Sequence, residues 1–93
     1  MTDFKNIRTG VIGVGSMGKN HARIYSEISN LVAVSDPNEE VGGKVAKNHG
    51  VNWYSSYKEI CDHVDAVSIA VPTIYHKEVA EYCASRGIHI LVE

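Results

Sequence analysis

Three glycines and one carboxylate in this chain are spaced to hold a dinucleotide. Gly13, Gly15 and Gly18 form G-x-G-x-x-G, and an acidic residue, Asp36, follows them. A ribose-binding acid is expected about 20 positions after the glycines, at the end of the next strand. Each glycine answers a different need. Gly13 allows a tight turn, Gly15 has no Cβ and lets a pyrophosphate approach the backbone, and Gly18 lets a helix lie close on a strand. The free N–H groups of the first helical turn, at Ser16, Met17 and Gly18, then point at the phosphates, and the helix dipole favours their charge. The side chain of Met17 is expected to pack. Asp36 has two readings, as acceptor for the adenosine ribose hydroxyls or as N-cap of the helix that follows. A carboxylate there also repels a 2′-phosphate and no arginine follows it, so the expected cofactor is NAD rather than NADP.

The motif means something only if a strand precedes it and a helix follows. Ile7–Ile12 has strand character. Ser16–Ile28 has helical spacing, with Met17, Ile24, Tyr25 and Ile28 on the expected inner face beside His21, read as a satisfied buried histidine. Asn30 is expected to end that helix in a left-handed cap. Leu31–Val34 is a continuous apolar run, as in a parallel strand buried on both faces. A turn at Asp36-Pro37-Asn38 leads to a second helix from Glu39, with Val41 and Val45 as its stripe. Gly42-Gly43 weakens it by about 1 kcal/mol per glycine, and Gly50 ends it. Val51–Tyr54 is a short edge strand. Ser56 to Glu59 matches a capping box. Asp65–Val71 is a fourth strand, stopped by Pro72. Ile74–Ser85 is a helix with Val79, Ala80 and Cys83 inward, capped by Gly87, and Ile88–Val92 is a fifth strand. Alternation of this kind implies an α/β fold, a doubly wound parallel sheet with helices on both faces. Right-handed crossovers and the motif position give strand order 3-2-1-4-5, with the ligand crevice between strands one and four.

The 93 residues suffice for one small domain, residues 1–93. Apolar residues at 44% and charged residues at 22% argue against disorder. The net charge is −2 and there is no basic run, so nothing points to nucleic acid or an anionic membrane. No leader peptide and no membrane-spanning stretch is recognisable. Cys61 and Cys83 lack zinc-binding spacing and read as reduced, packed thiols of a cytoplasmic protein. His49, His63 and His89 show no metal spacing.

The chain resembles the N-terminal domain of the Gfo/Idh/MocA oxidoreductases. The resemblance rests on residues 10–18 with His21, on Ser35-Asp36-Pro37-Asn38, on residues 65–73 with His76 and Glu78, and on Leu91-Val92-Glu93. It runs from about Ile7 to Glu93, and the first half most resembles the nucleotide-sugar dehydrogenases. It implies hydride transfer between a nicotinamide cofactor and a sugar or nucleotide-sugar hydroxyl. It sets Ala70, Val71, Pro72 and Thr73 against the nicotinamide-side ribose and phosphates, His76 near the nicotinamide end, and the Glu93 carboxylate on the nicotinamide ribose. By chemistry alone, residues 70–73 would be a plain strand terminus, His76 a first-turn surface residue and Glu93 a frayed end. Tyr54, Ser55 and Tyr57 are candidates to flank the adenine, or simply to pack.

In the family pattern a lysine that helps deprotonate the substrate hydroxyl follows Glu93, and a C-terminal substrate domain comes after it. Neither lies in these 93 residues. The expectation is therefore a piece of a longer enzyme, without a catalytic base of its own and inactive alone. With strand five as an open edge, self-association is also expected. Two rivals remain at this point. One is a nucleotide-binding module without chemistry, or a folding fragment. The other is a flavin or S-adenosylmethionine site, which Asp36 alone does not separate from NAD.

Overall fold

The computed structural model describes residues 4–92. After a single turn at Phe4–Asn6, the elements are β1 (Arg8–Ile12), α1 (Ser16–Ile28), β2 (Asn30–Ser35), α2 (Glu39–His49), β3 (Asn52–Tyr54), α3 (Tyr57–Ile60), β4 (Ala66–Ile69), α4 (Thr73–Ser85) and β5 (His89–Val92). The strands form one sheet in the order β3-β2-β1-β4-β5, as expected from the alternation. Every pairing is parallel.

Side chains alternate across a strand, so neighbours on β1 serve different cores. Val11 joins Val14, Ala22, Leu31, Val34, Val45 and Ala46 under α1 and α2. Ile12 joins Ala33, Ile60, Val67, Ile69, Val79 and Cys83 under α3 and α4. Burial on both faces explains why β1, β2 and β4 carry so little polar sequence. Away from the crevice, Asp65 clamps β1 to β4. Its carboxylate accepts from the Arg8 N–H at 3.0 Å and from Arg8 Nη2 at 2.9 Å, and this holds its pKa below the usual range. Cys61 and Cys83 are free, buried thiols with Sγ atoms 3.6 Å apart. Burial pushes Cys83 up to about 12, so it packs as a protonated, apolar group.

Three local expectations are corrected. First, α1 is rotated. Met17, Ile24 and Ile28 are 56%, 38% and 52% exposed, while Gly18 and Ala22 are buried. A Cβ at Gly18 would stand 1.7 Å from the Gly13 carbonyl oxygen. Close approach at this point fixes the helix rotation, and positions 18, 22 and 25 follow at i, i+4 and i+7. Second, Asn30 does not cap α1 but begins β2, and among the described residues none other than glycine has a positive φ. Extended Ser29 ends the helix instead. Its N–H and its hydroxyl both donate to the Tyr25 carbonyl, at 2.9 and 2.8 Å. Third, Val41 is exposed and Gly42 is buried in α2. The Trp53 indole lies on Gly42, where a Cβ would be 2.3 Å from the ring. The glycine that weakens the helix is also the seat of the tryptophan.

Candidate cofactor site

The strand order reverses between β1 and β4, and a crevice opens there at the carboxyl ends of the strands. Its volume is about 930 Å³. The turn out of β1 forms its floor. Gly13 has φ 88°, and its N–H donates to the Ser35 carbonyl at 2.7 Å. A Cβ at Gly13 would be 2.8 Å from the Ala70 carbonyl oxygen, so the turn is wedged between the ends of β2 and β4. Gly15 differs. A Cβ there would meet nothing within 4 Å, and its φ of −65° suits any residue. Its missing side chain therefore leaves room in the crevice, while that of Gly18 leaves room for the fold.

No side chain caps α1 at Gly15, and none caps α4 at Pro72. The N-termini of α2 and α3 are capped by Asn38 and Ser56. The first-turn N–H groups of α1 thus stand over the open floor with their share of the helix dipole, a suitable lining for an anion.

Asp36 sits on the rim. Its Oδ2 accepts from the Val14 N–H at 3.0 Å and its Oδ1 from the Asn38 N–H at 2.9 Å. The cap of α2 is Asn38, whose side chain accepts from Val41 N–H at 3.2 Å, so Asp36 is not the N-cap. Its backbone carbonyl is held as well, by Trp53 Nε1 at 2.9 Å. Each carboxylate oxygen still has acceptor capacity for a ribose hydroxyl. The room over Gly15, the uncapped helix and this aimed carboxylate fit a dinucleotide.

Of the twelve candidates, ten line the crevice: Gly13, Gly15, Ser16, Met17, Asp36, Ala70, Val71, Pro72, Thr73 and His76. The Met17 side chain, expected to pack, is more than half exposed here, because the rotation of α1 turns it outward. Gly18 lies behind the floor, and Glu93 lies outside the described residues. Ser55 and Tyr57 also line the crevice. Tyr54 does not, its ring stacking on His63 at 5.1 Å. His21 is half-buried, with Nδ1 2.5 Å from the hydroxyl of buried Ser68, a satisfied structural histidine as expected.

Sequence reasoning missed Pro37, Ser56 and Tyr75 as lining residues, and it noted Glu78 only as part of a motif. The signal for Tyr75, Glu78 and Val79 was their helical spacing on α4, which places them on one face. The Tyr57 phenol is held above its ordinary pKa by burial, then by the nearby Glu78 charge.

Residues 7–93 match the model of a family described as an oxidoreductase family with an NAD-binding Rossmann fold. The chain is 43% identical over 88 residues to UDP-N-acetylglucosamine 3-dehydrogenase of Acidithiobacillus ferrooxidans, covering 95% of this chain and 28% of that protein. A solved structure of that enzyme superposes with a TM-score of 0.90 at 42% identity, over 94% of this chain and 29% of the other. Scyllo-inositol dehydrogenase from Lactobacillus casei, solved with bound NAD(H) and scyllo-inositol, superposes with a TM-score of 0.86 at 26% identity, over 95% and 28%. The chain therefore spans less than a third of the relatives it matches. Among the described residues no helix is long and apolar enough to cross a membrane.

Proposed function

Because the chain belongs to the Gfo/Idh/MocA oxidoreductase family, we propose that it is the NAD-binding part of a dehydrogenase acting on a sugar or nucleotide-sugar hydroxyl. One observation carries this reading: the crevice where the strand order reverses, open over Gly15, with the Asp36 carboxylate on its rim. The substrate class is supported by relatives named for a nucleotide sugar and for scyllo-inositol. When bound, the nicotinamide exchanges hydride with the substrate carbon. The chain's own residues bind and orient. The α1 first turn, Ser16 to Gly18, holds the pyrophosphate, and Asp36 holds the adenosine ribose. The turn from Ala70 to Thr73, with His76 and Glu93, holds the nicotinamide side. This orientation fixes the ring against the reacting carbon. Residues 1–93 form one dinucleotide-binding domain in this reading. Its buried free thiols support a cytoplasmic setting. Calorimetric titration with NAD tests the proposal. Saturable 1:1 binding is expected, and its absence overturns the assignment.

Asp36 also sets the choice of cofactor. Its carboxylate accepts from ribose hydroxyls and repels a 2′-phosphate, so NAD should bind more tightly than NADP. Asp36→Ala should weaken NAD roughly tenfold, as for the loss of a charge-assisted hydrogen bond, and should bring the two affinities together. Parallel titrations read this directly, and equal affinity of the unaltered protein for both would refute it.

We also propose that the chain associates with itself through β5. Among the described residues that strand pairs only with β4; it contains no proline and has Leu91 46% exposed. Unpaired N–H and C=O groups along such an edge invite another strand, most simply in a two-fold dimer or by exchange of the C-terminal segment. Sedimentation velocity should show mass rising with concentration. A monomer at millimolar concentration would exclude the edge contact.

A further inference from the structure

The core under α3 and α4 holds the two cysteines of the sequence side by side. Cys61 closes α3, Cys83 lies near the end of α4, and their Sγ atoms are 3.6 Å apart. Two further contacts join the same segments, one before the thiols and one after. The Tyr57 ring stands edge-on to Tyr82, with centroids 5.6 Å apart, and the Arg86 guanidinium pairs with the Asp62 carboxylate. The thiols therefore face each other inside a seam that is held at both ends. Bonded sulfurs lie about 2 Å apart, so the pair must close by about 1.5 Å. The part that can give is α3. It is a single turn of four residues, too short to be stable by itself. In contrast, α4 runs for 13 residues and seats Val79 and Cys83 in the core.

We propose that Cys61 and Cys83 are a modification site, a dithiol that a small disulfide such as oxidised glutathione converts to an intramolecular disulfide, tying α3 to α4. Burial keeps both thiols protonated while the fold is closed, so exchange waits for α3 to lift locally. Cys61 is 5% exposed and Cys83 0%, which makes Cys61 the point of entry. Its thiol loses a proton, and the thiolate attacks one sulfur of the small disulfide. A mixed disulfide forms and one small thiolate leaves. When α3 returns to its seat, Cys83 loses its proton and attacks the Cys61 sulfur, and the second small thiolate leaves. The two thiolates take up the two protons. The protein dithiol has then lost two electrons, and the small disulfide has been reduced to two thiols. Excess small thiol reverses the exchange. The bond fixes Tyr57, at the start of α3, relative to Thr73 and His76 on α4, and all three line the crevice.

The test is equilibration of the unaltered chain with mixtures of reduced and oxidised glutathione, both without denaturant and in urea. Acid-quenched samples are read by intact mass, thiol titration and non-reducing electrophoresis. The folded chain should yield a monomer lighter by two hydrogens, with no free thiol and an unchanged circular dichroism spectrum. Because the fold already sets the sulfurs side by side, the equilibrium constant for forming the bond should be roughly 100-fold or more higher in the folded chain than in urea. A constant no higher in the folded chain than in urea would mean that the fold opposes the bond, and it overturns the proposal. So does a glutathione adduct or a cross-linked dimer as the end product, or loss of the folded spectrum on oxidation.

Discussion

Gly18→Ala should leave little folded protein. The added methyl would stand 1.7 Å from the Gly13 carbonyl oxygen and 2.7 Å from its carbonyl carbon. Both are backbone atoms in a turn that is itself fixed, by the Gly13 N–H to Ser35 and by the end of β4. No rotamer change relieves the overlap, so α1 must lift from the sheet or the turn must break. Overpacking of a rigid site costs about 3 kcal/mol or more. A domain of this length has only about 5–10 kcal/mol of stability in total. The measurement is thermal or urea unfolding followed by circular dichroism. A midpoint within a few degrees of the unaltered protein would mean that α1 does not bear on the turn.

Gly15→Val is expected to give the opposite result, at a position three residues away in the same motif. The Cβ meets nothing within 4 Å, and the backbone is at a φ that valine adopts. Stability should therefore change little, within about 0.5 kcal/mol as for an exposed site. The branched side chain would, however, fill the space over the crevice floor beside the uncapped first turn of α1. NAD affinity should fall at least about 100-fold, since pyrophosphate and side chain compete for one volume and the anion-binding N–H groups are screened. Gly15→Ala should fall between. Calorimetry on protein of verified fold is the measurement, and normal NAD binding by the valine variant would remove the phosphate-loop assignment.

The architecture was legible because it depends on coarse features. Continuous apolar runs marked β2 and β4, Pro72 and Gly50 marked stops, and the bounds of α1 at Ser16 and Ile28 followed from the glycine motif and the helical spacing. What was not legible depends on close approach between elements. Apolar counting placed Met17, Ile24 and Ile28 inward, yet the inner face of α1 is built on Gly18 and Ala22. The same error occurred in α2, where Val41 looked inward and Gly42 was the contact, because only the fold brings Trp53 onto that glycine. For the candidate site, motif residues on β1, β2 and β4 were found because those strands end at one crevice. Tyr75 and Glu78 come from α4, whose inward face at Val79 and Cys83 was legible, but which of the flanking residues reach the crevice depends on where the helix lies on the sheet.

The two cores differ in when the chain can build them. Every buried residue of the core under α1 and α2 lies between Val11 and Ala46, and its flanking Val51 and Trp53 follow closely. The opposite core waits for Val67, Val79 and Cys83, with Ile90 on its margin. β1 meets β2 early, with Thr9 opposite Leu31, but its other neighbour arrives only with Ala66 opposite the same Thr9. A chain emerging from its N-terminus can thus close one face of the sheet while the far edge of its central strand still waits for a partner. Closing so long a loop is the slow entropic step in parallel sheets, and an unpaired central strand is the species most open to aggregation during folding. The topology that places the crevice beside β1 therefore also leaves β1 paired on one side only until β4 arrives.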